Sequence, residues 1–127
     1  VSAVARALVI VDHGSRRTEA NAQLDALAER LREREPGTLV VPAHLELEPP
    51  SIADAIARCA EAGARDVVVL PWFLAPGRHT AEDIPRQVDA ARARHPQLSI
   101  RVGEALGLHP KLVEVALERI AAAREER

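Results

Sequence analysis

Four short apolar runs, Ala7–Val11, Leu39–Leu47, Val67–Phe73 and Leu98–Val102, alternate with four longer segments of helical periodicity. Three of the runs are almost continuously apolar, as strands covered on both faces are, and such strands belong to parallel sheets. The alternation therefore predicts an α/β domain: a four-stranded parallel sheet flanked by helices on both faces. At 127 residues the chain predicts one domain spanning 1–127. Only 2% of residues are aromatic against 47% hydrophobic, so the core must be built from Ala, Val, Leu and Ile.

In the first helix Leu24, Leu27, Ala28 and Leu31 fall at i, i+3, i+4 and i+7, and Pro36-Gly37 ends the segment. Ser51 and Asp54 have the spacing of a capping box at the start of the second helix, and Gly63 supplies a left-handed stop. The fourth helix opens at Pro110 and carries Val113, Ala116, Leu117 and Ile120 on one face. For the third helix Asp83 is read as the cap, which places Pro85 in the first turn and leaves Ala75–Glu82 as a loop containing Gly77 and His79.

Charge and hydropathy exclude several partners. The net charge is −2, made of −3 on residues 1–63 and +1 on residues 64–127, so neither half has the basic stripe that a nucleic-acid backbone needs. The longest apolar stretch, Val67–Ala75, is far short of the roughly 20 residues of a membrane span. No signal-peptide pattern opens the chain, and one cysteine forms no internal disulfide, so a cytoplasmic location is expected. Cys59 stands at helical spacing from Ile52 and Ile56 and reads as a packing residue.

In an open parallel sheet, ligands bind beyond the carboxyl ends of the strands. Three segments fall there: Asp12-His13-Gly14-Ser15 after the first strand, His44-Leu45-Glu46 at the end of the second, and Gly77-Arg78-His79 after the third. Two imidazoles and a carboxylate from three strand ends can converge on a first-row divalent metal with positions left open for exchange. His44 alternates onto the same strand face as Glu46 and reads as packing or support. His95 and His109, each before a proline, read as helix-end residues, and Trp72 and Phe73 as wall or core.

Other chemistries find less support. Ser15 lacks the Gly-x-Ser-x-Gly spacing of a nucleophile elbow, and the turn at Gly14 lacks the Gly-x-Gly-x-x-Gly pattern of a dinucleotide site, so no organic cofactor is indicated. His13-Gly14 with Asn21 downstream faintly resembles the histidine phosphatases, but Asp12 stands where their phosphate-binding arginine is required.

Val11-Asp-His-Gly-Ser-Arg16, Ala43-His-Leu-Glu46 with Pro50-Ser-Ile52, Leu70-Pro-Trp-Phe-Leu74, and Gly77-Arg-His79 with Asp83-Ile-Pro85 follow one another in an order and spacing that resembles the class II sirohydrochlorin chelatases of the small, single-domain CbiX type. The resemblance runs from Leu8 to about Pro110. It implies a flavodoxin-like layering that forms half of a class II chelatase. It also implies that His13 and His79 bind the metal and act in its insertion, with Glu46 contributing to the same site. The chain departs from the family at His44, where an apolar or aromatic residue is usual, and it lacks the His-rich loop of some archaeal members.

The activity implied is insertion of a divalent metal, cobalt first and iron or nickel as alternatives, into sirohydrochlorin in cobalamin or siroheme biosynthesis. The ion must shed water and the ring must lose two pyrrole protons, tasks for which a neutral imidazole is suited. Carboxylates of sirohydrochlorin call for cationic partners, for which Arg16, Arg17, Arg78 and Arg86 are the candidates. A metal carrier or sensor using the same histidine pair is the non-catalytic alternative. Because longer family members contain two facing copies of this domain, a symmetric homodimer is expected, with contacts near Trp72, Leu74 and Ala75.

Overall fold

A computed structural model describes residues 5–75 and 77–126, with His79 described in its backbone alone. The order of elements is β1 (Arg6–Asp12), α1 (Thr18–Arg34), β2 (Thr38–His44), α2 (Ile52–Glu61), β3 (Asp66–Pro71), α3 (Arg78–Arg94), β4 (Ser99–Val102) and α4 (Pro110–Glu125). All strand pairs are parallel and the sheet order is β2-β1-β3-β4. The expected α/β architecture is thus present. Among the described residues no helix is long and apolar enough to cross a membrane.

The alternating faces of the strands make two apolar layers. On one, Val9, Val11, Val41, Val67, Val69 and Ile100 pack with buried residues of α2 and α3, including Ile56, Ile84 and Val88. On the other, Ile10 and Val40 pack against Leu24 and Ala28 of α1. Each fully buried aliphatic side chain contributes about 1.5–3 kcal/mol, which is how a core almost without aromatics holds this sheet. Cys59 is fully buried in the first layer, as its spacing predicted.

Side-chain caps mark the starts of two of the four helices. Ser51 caps α2, its hydroxyl accepting from the Asp54 backbone N–H at 3.1 Å. His109 caps α4 through Nδ1, which accepts from the Lys111 N–H at 3.0 Å.

Helix α3 differs from the sequence expectation. It begins at Arg78 with Gly77 as its cap, so residues 78–82 of the expected loop are helical, His79 lies in the first helical turn and Pro85 lies inside the helix. Proline removes one backbone hydrogen bond there. The helix persists because Thr80, Ile84, Val88 and Ala91 form a continuous buried face on the core, and because the Thr80 hydroxyl donates to the Gly77 carbonyl at 3.0 Å in the first turn. The second strand also ends earlier than the apolar run suggested, at His44, leaving Glu46 in the loop beyond it.

The amphipathic pattern of α4 is present but not buried. Val113, Leu117 and Ile120 are 45–54% exposed, and no residue of α4 is buried.

Candidate metal and tetrapyrrole site

Strand β1 and its edge neighbour β2 end in register, Asp12 opposite His44. Their side chains meet: His44 Nδ1 is 2.5 Å from Asp12 Oδ1, with the imidazole 3% exposed. Beyond the strands the backbone stays paired, Leu45 N–H donating to the Asp12 carbonyl at 3.0 Å and Glu46 N–H to the His13 carbonyl at 3.1 Å. That extension places Glu46 beside His13. His13 Nε2 lies 2.9 Å from Glu46 Oε1, both side chains more than half exposed at the carboxyl edge of the sheet.

The approach of the two loops depends on Gly14. Its φ is +93°, and a Cβ at this position would stand 1.9 Å from the Glu46 carbonyl oxygen. An L side chain is excluded on both counts. Leu47, just beyond Glu46, also has a positive φ of 71° although it carries a branched side chain. Nothing in the sequence flagged Leu47.

The loop after β1 is fixed from α1 by a residue whose role the sequence did not reveal. Asn21 accepts from the Ser15 N–H through Oδ1 at 3.0 Å and donates through Nδ2 to the Ser15 carbonyl at 2.7 Å. The Ser15 hydroxyl accepts from the Arg17 N–H at 3.0 Å, a turn-forming bond rather than a partnership with a base. Asn21 and Ser15 thus shape the turn that carries His13.

The remaining candidates distribute along the same edge. Arg16 and Arg17 are exposed in the loop leading to α1, Arg17 3.5 Å from Glu19. Arg78 is the exposed first residue of α3, and Arg86, also exposed, pairs with Asp83 one turn before it. The side chain of His79 lies outside the described residues, and its backbone stands at the start of α3. Among the described residues no three His, Cys, Asp or Glu side chains gather as a ready metal site, so His13 and Glu46 form an open pair of donors. An open pair suits an ion that is taken up and passed on better than one that is held permanently.

Next to this edge an open cleft of about 480 Å³ is lined by Asp12, Leu24, Leu27, Arg30, Trp72 and Arg119. Arg30 and Arg119 were not among the sequence candidates, since each sits in a helix and only the fold brings it to the edge. Another hollow, of about 520 Å³, lies at the opposite end of the strands around Arg6, Thr38, Asp66 and Ser99, away from His13 and Glu46.

A family model described as CbiX matches residues 7–123, nearly the whole chain. The chain belongs to the CbiX family. Its CbiX relatives include the chloroplastic sirohydrochlorin ferrochelatase of Arabidopsis thaliana, 42% identical over 89% of this chain and 50% of that protein. The sirohydrochlorin cobaltochelatase of Methanopyrus kandleri is 30% identical over 94% of this chain and 98% of its own length. The sirohydrochlorin chelatase SirB of Bacillus subtilis subspecies spizizenii, solved in complex with cobalt, superposes with a TM-score of 0.87 at 27% identity over 93% of this chain and 50% of SirB. This CbiX chain thus spans about half the length of the plant and Bacillus proteins and nearly all of the Methanopyrus one.

Proposed function

We propose that this chain is a sirohydrochlorin chelatase, a lyase-type enzyme that inserts a divalent metal into the tetrapyrrole without an organic cofactor. The observation that carries the reading is the His13–Glu46 pair, 2.9 Å apart and open to solvent at the carboxyl edge of a CbiX fold. The names of its relatives, cobaltochelatases and ferrochelatases of sirohydrochlorin, support the substrate and the metal class.

In this reading Glu46 accepts from the Nε2–H of His13, which orients the ring and fixes its tautomer. The other ring nitrogen is left as a lone pair to hold the incoming ion or to take a pyrrole proton. His79, in the first turn of α3, supplies the second imidazole. Arg16, Arg17, Arg78 and Arg86 engage the carboxylates of the substrate, Arg86 exchanging its bond to Asp83 for one to the ligand.

One edge covers one face of a planar macrocycle. A symmetric homodimer of two such domains encloses it, with the region of Trp72, Leu74 and Ala75 near the two-fold axis, and removes water from the transfer step. Cobalt is the first metal of this proposal, iron and nickel the alternatives, and the cytoplasm the compartment, consistent with a single reduced cysteine.

Anaerobic incubation of the chain with sirohydrochlorin and each divalent metal in turn, followed by visible spectroscopy, tests the reading. Metal-dependent conversion of the tetrapyrrole spectrum above the uncatalysed rate is expected. Tight metal binding with no conversion would instead make the protein a carrier.

A further inference from the structure

An open sheet ends in two strands that each have one unpaired side, and here those strands are β2 and β4. Outward N–H and C=O groups of such strands are a template for a further strand from another chain. Both edges carry the same arrangement of residues against this. Glu29 and Arg32 stand three apart in α1 and are ion-paired, and Nη2 of Arg32 donates to the Val40 carbonyl of β2 at 2.6 Å. Asp89 and Arg92 stand three apart in α3 and are paired at 2.8 Å. Nη2 of Arg92 donates to the Ile100 carbonyl of β4 at 2.7 Å, with Nε on the same oxygen at 3.3 Å. In both cases the carbonyl lies eight residues after the arginine.

The turns that set this reach are alike as well. Glu35, which closes α1, has φ −125° and ψ 63°, and His95, which closes α3, has φ −129° and ψ 67°. A proline follows each, and the carbonyls of Glu35 and His95 accept from the N–H groups of Thr38 and Leu98 at 3.1 and 3.0 Å. Along β2 every second residue points out of the sheet. Thr38 gives its N–H to the turn, Val40 takes the arginine, Pro42 has no N–H to offer, and the His44 N–H donates to the Pro50 carbonyl at 2.9 Å. Strand β4 is blunted further by its length of four residues.

We infer that Arg32 and Arg92 are edge locks: each guanidinium occupies the carbonyl that an incoming strand needs and sets a positive charge beside it, so the sheet stops at four strands and folded copies do not join edge to edge. The acid three residues earlier holds the guanidinium in place, and the planar fork lets one nitrogen keep that pair while another reaches the strand. The lock on β2 also protects the site. That strand leads through His44 to Glu46, and a strand added at its edge would compete for the His44 N–H that ties the start of this loop to Pro50.

Arg32→Ala, Arg92→Ala and the double variant test the inference against Arg34→Ala/Arg94→Ala, which removes the same charge from exposed positions in the same two helices. Mass is followed by sedimentation, strand addition by thioflavin T fluorescence and the fold by circular dichroism. With one lock removed, like edges pair two-fold and assembly stops at double the wild-type mass; with both removed, each unit has two open edges and growth continues without closure. The Arg34/Arg94 variant keeps the wild-type mass, and so does Arg32→Lys/Arg92→Lys, which retains a cationic donor at both edges. Single and double alanine variants that keep both native circular dichroism and the wild-type mass would overturn the locks. So would equal growth of the Arg34/Arg94 variant, which assigns the effect to net charge, or growth that begins only as native circular dichroism is lost, which assigns it to unfolded chains.

Discussion

Nδ1 of His44 stands 2.5 Å from Oδ1 of Asp12, across the last register pair of β1 and β2. The bond ties the ends of the two strands whose next residues carry His13 and Glu46, and it is made by a histidine that is almost completely buried. His44 thus adds a polar tie to Asp12 at the ends of the two strands.

Removing one partner leaves the other buried without its bond. Asp12→Ala is therefore expected to lower stability by about 1–3 kcal/mol, and the double variant Asp12→Ala/His44→Phe by less than the sum of the two single changes. Urea unfolding of the four proteins measures the coupling; additive losses would show that the pair acts as two independent side chains.

Gly14→Ala forces a side chain into a left-handed residue and against a backbone oxygen that cannot move freely. The strain of such a position is about 1–3 kcal/mol, and the loops after β1 and β2 must also separate. The expected outcome is a folded protein whose circular dichroism is unchanged and whose metal insertion is severely reduced. Full activity would contradict the close approach of the two loops.

Asn21 and Ser15 give a contrast between backbone support and chemistry. Asn21→Ala removes both bonds to the Ser15 backbone and should slow insertion, whereas Ser15→Ala loses one exposed turn bond and should keep most of it. A Ser15→Ala protein without activity would revive a nucleophilic role for the hydroxyl.

Burial pushes the Cys59 thiol up from 9.0 to about 11, an effect that the nearby Arg58 guanidinium and a backbone hydrogen bond only partly offset. Because the thiolate is the nucleophile, and the raised value keeps it protonated at pH 8, iodoacetamide should label native protein far more slowly than protein in denaturant. Equal rates would place Cys59 at the surface.

The parallel sheet was legible because β1, β2 and β3 are nearly continuous apolar runs, a pattern that burial on two faces imposes. Ser51 and Pro110 marked their helices because caps are local chemistry. The start of α3 was not legible: Pro85 is a local breaker, and the buried face through Thr80, Ile84 and Val88 that outweighs it is a tertiary effect. The stripe on α4 was visible, but the sequence has no means of showing that the chain does not bury it. His13 and Glu46 were found from their positions after strands, whereas Asn21 has an ordinary place inside a helix and acts through a loop it does not belong to.

In the function proposed above, His13, held by Glu46, handles the metal during insertion. That role is tested most directly by anaerobic insertion of Co²⁺ into sirohydrochlorin, followed by visible absorbance, for the wild type, His13→Ala and Glu46→Gln. The expected rate is about 100- to 10,000-fold lower for folded His13→Ala, with a smaller loss for Glu46→Gln, which keeps an acceptor for the ring. A folded His13→Ala protein that inserts cobalt at the wild-type rate would contradict it.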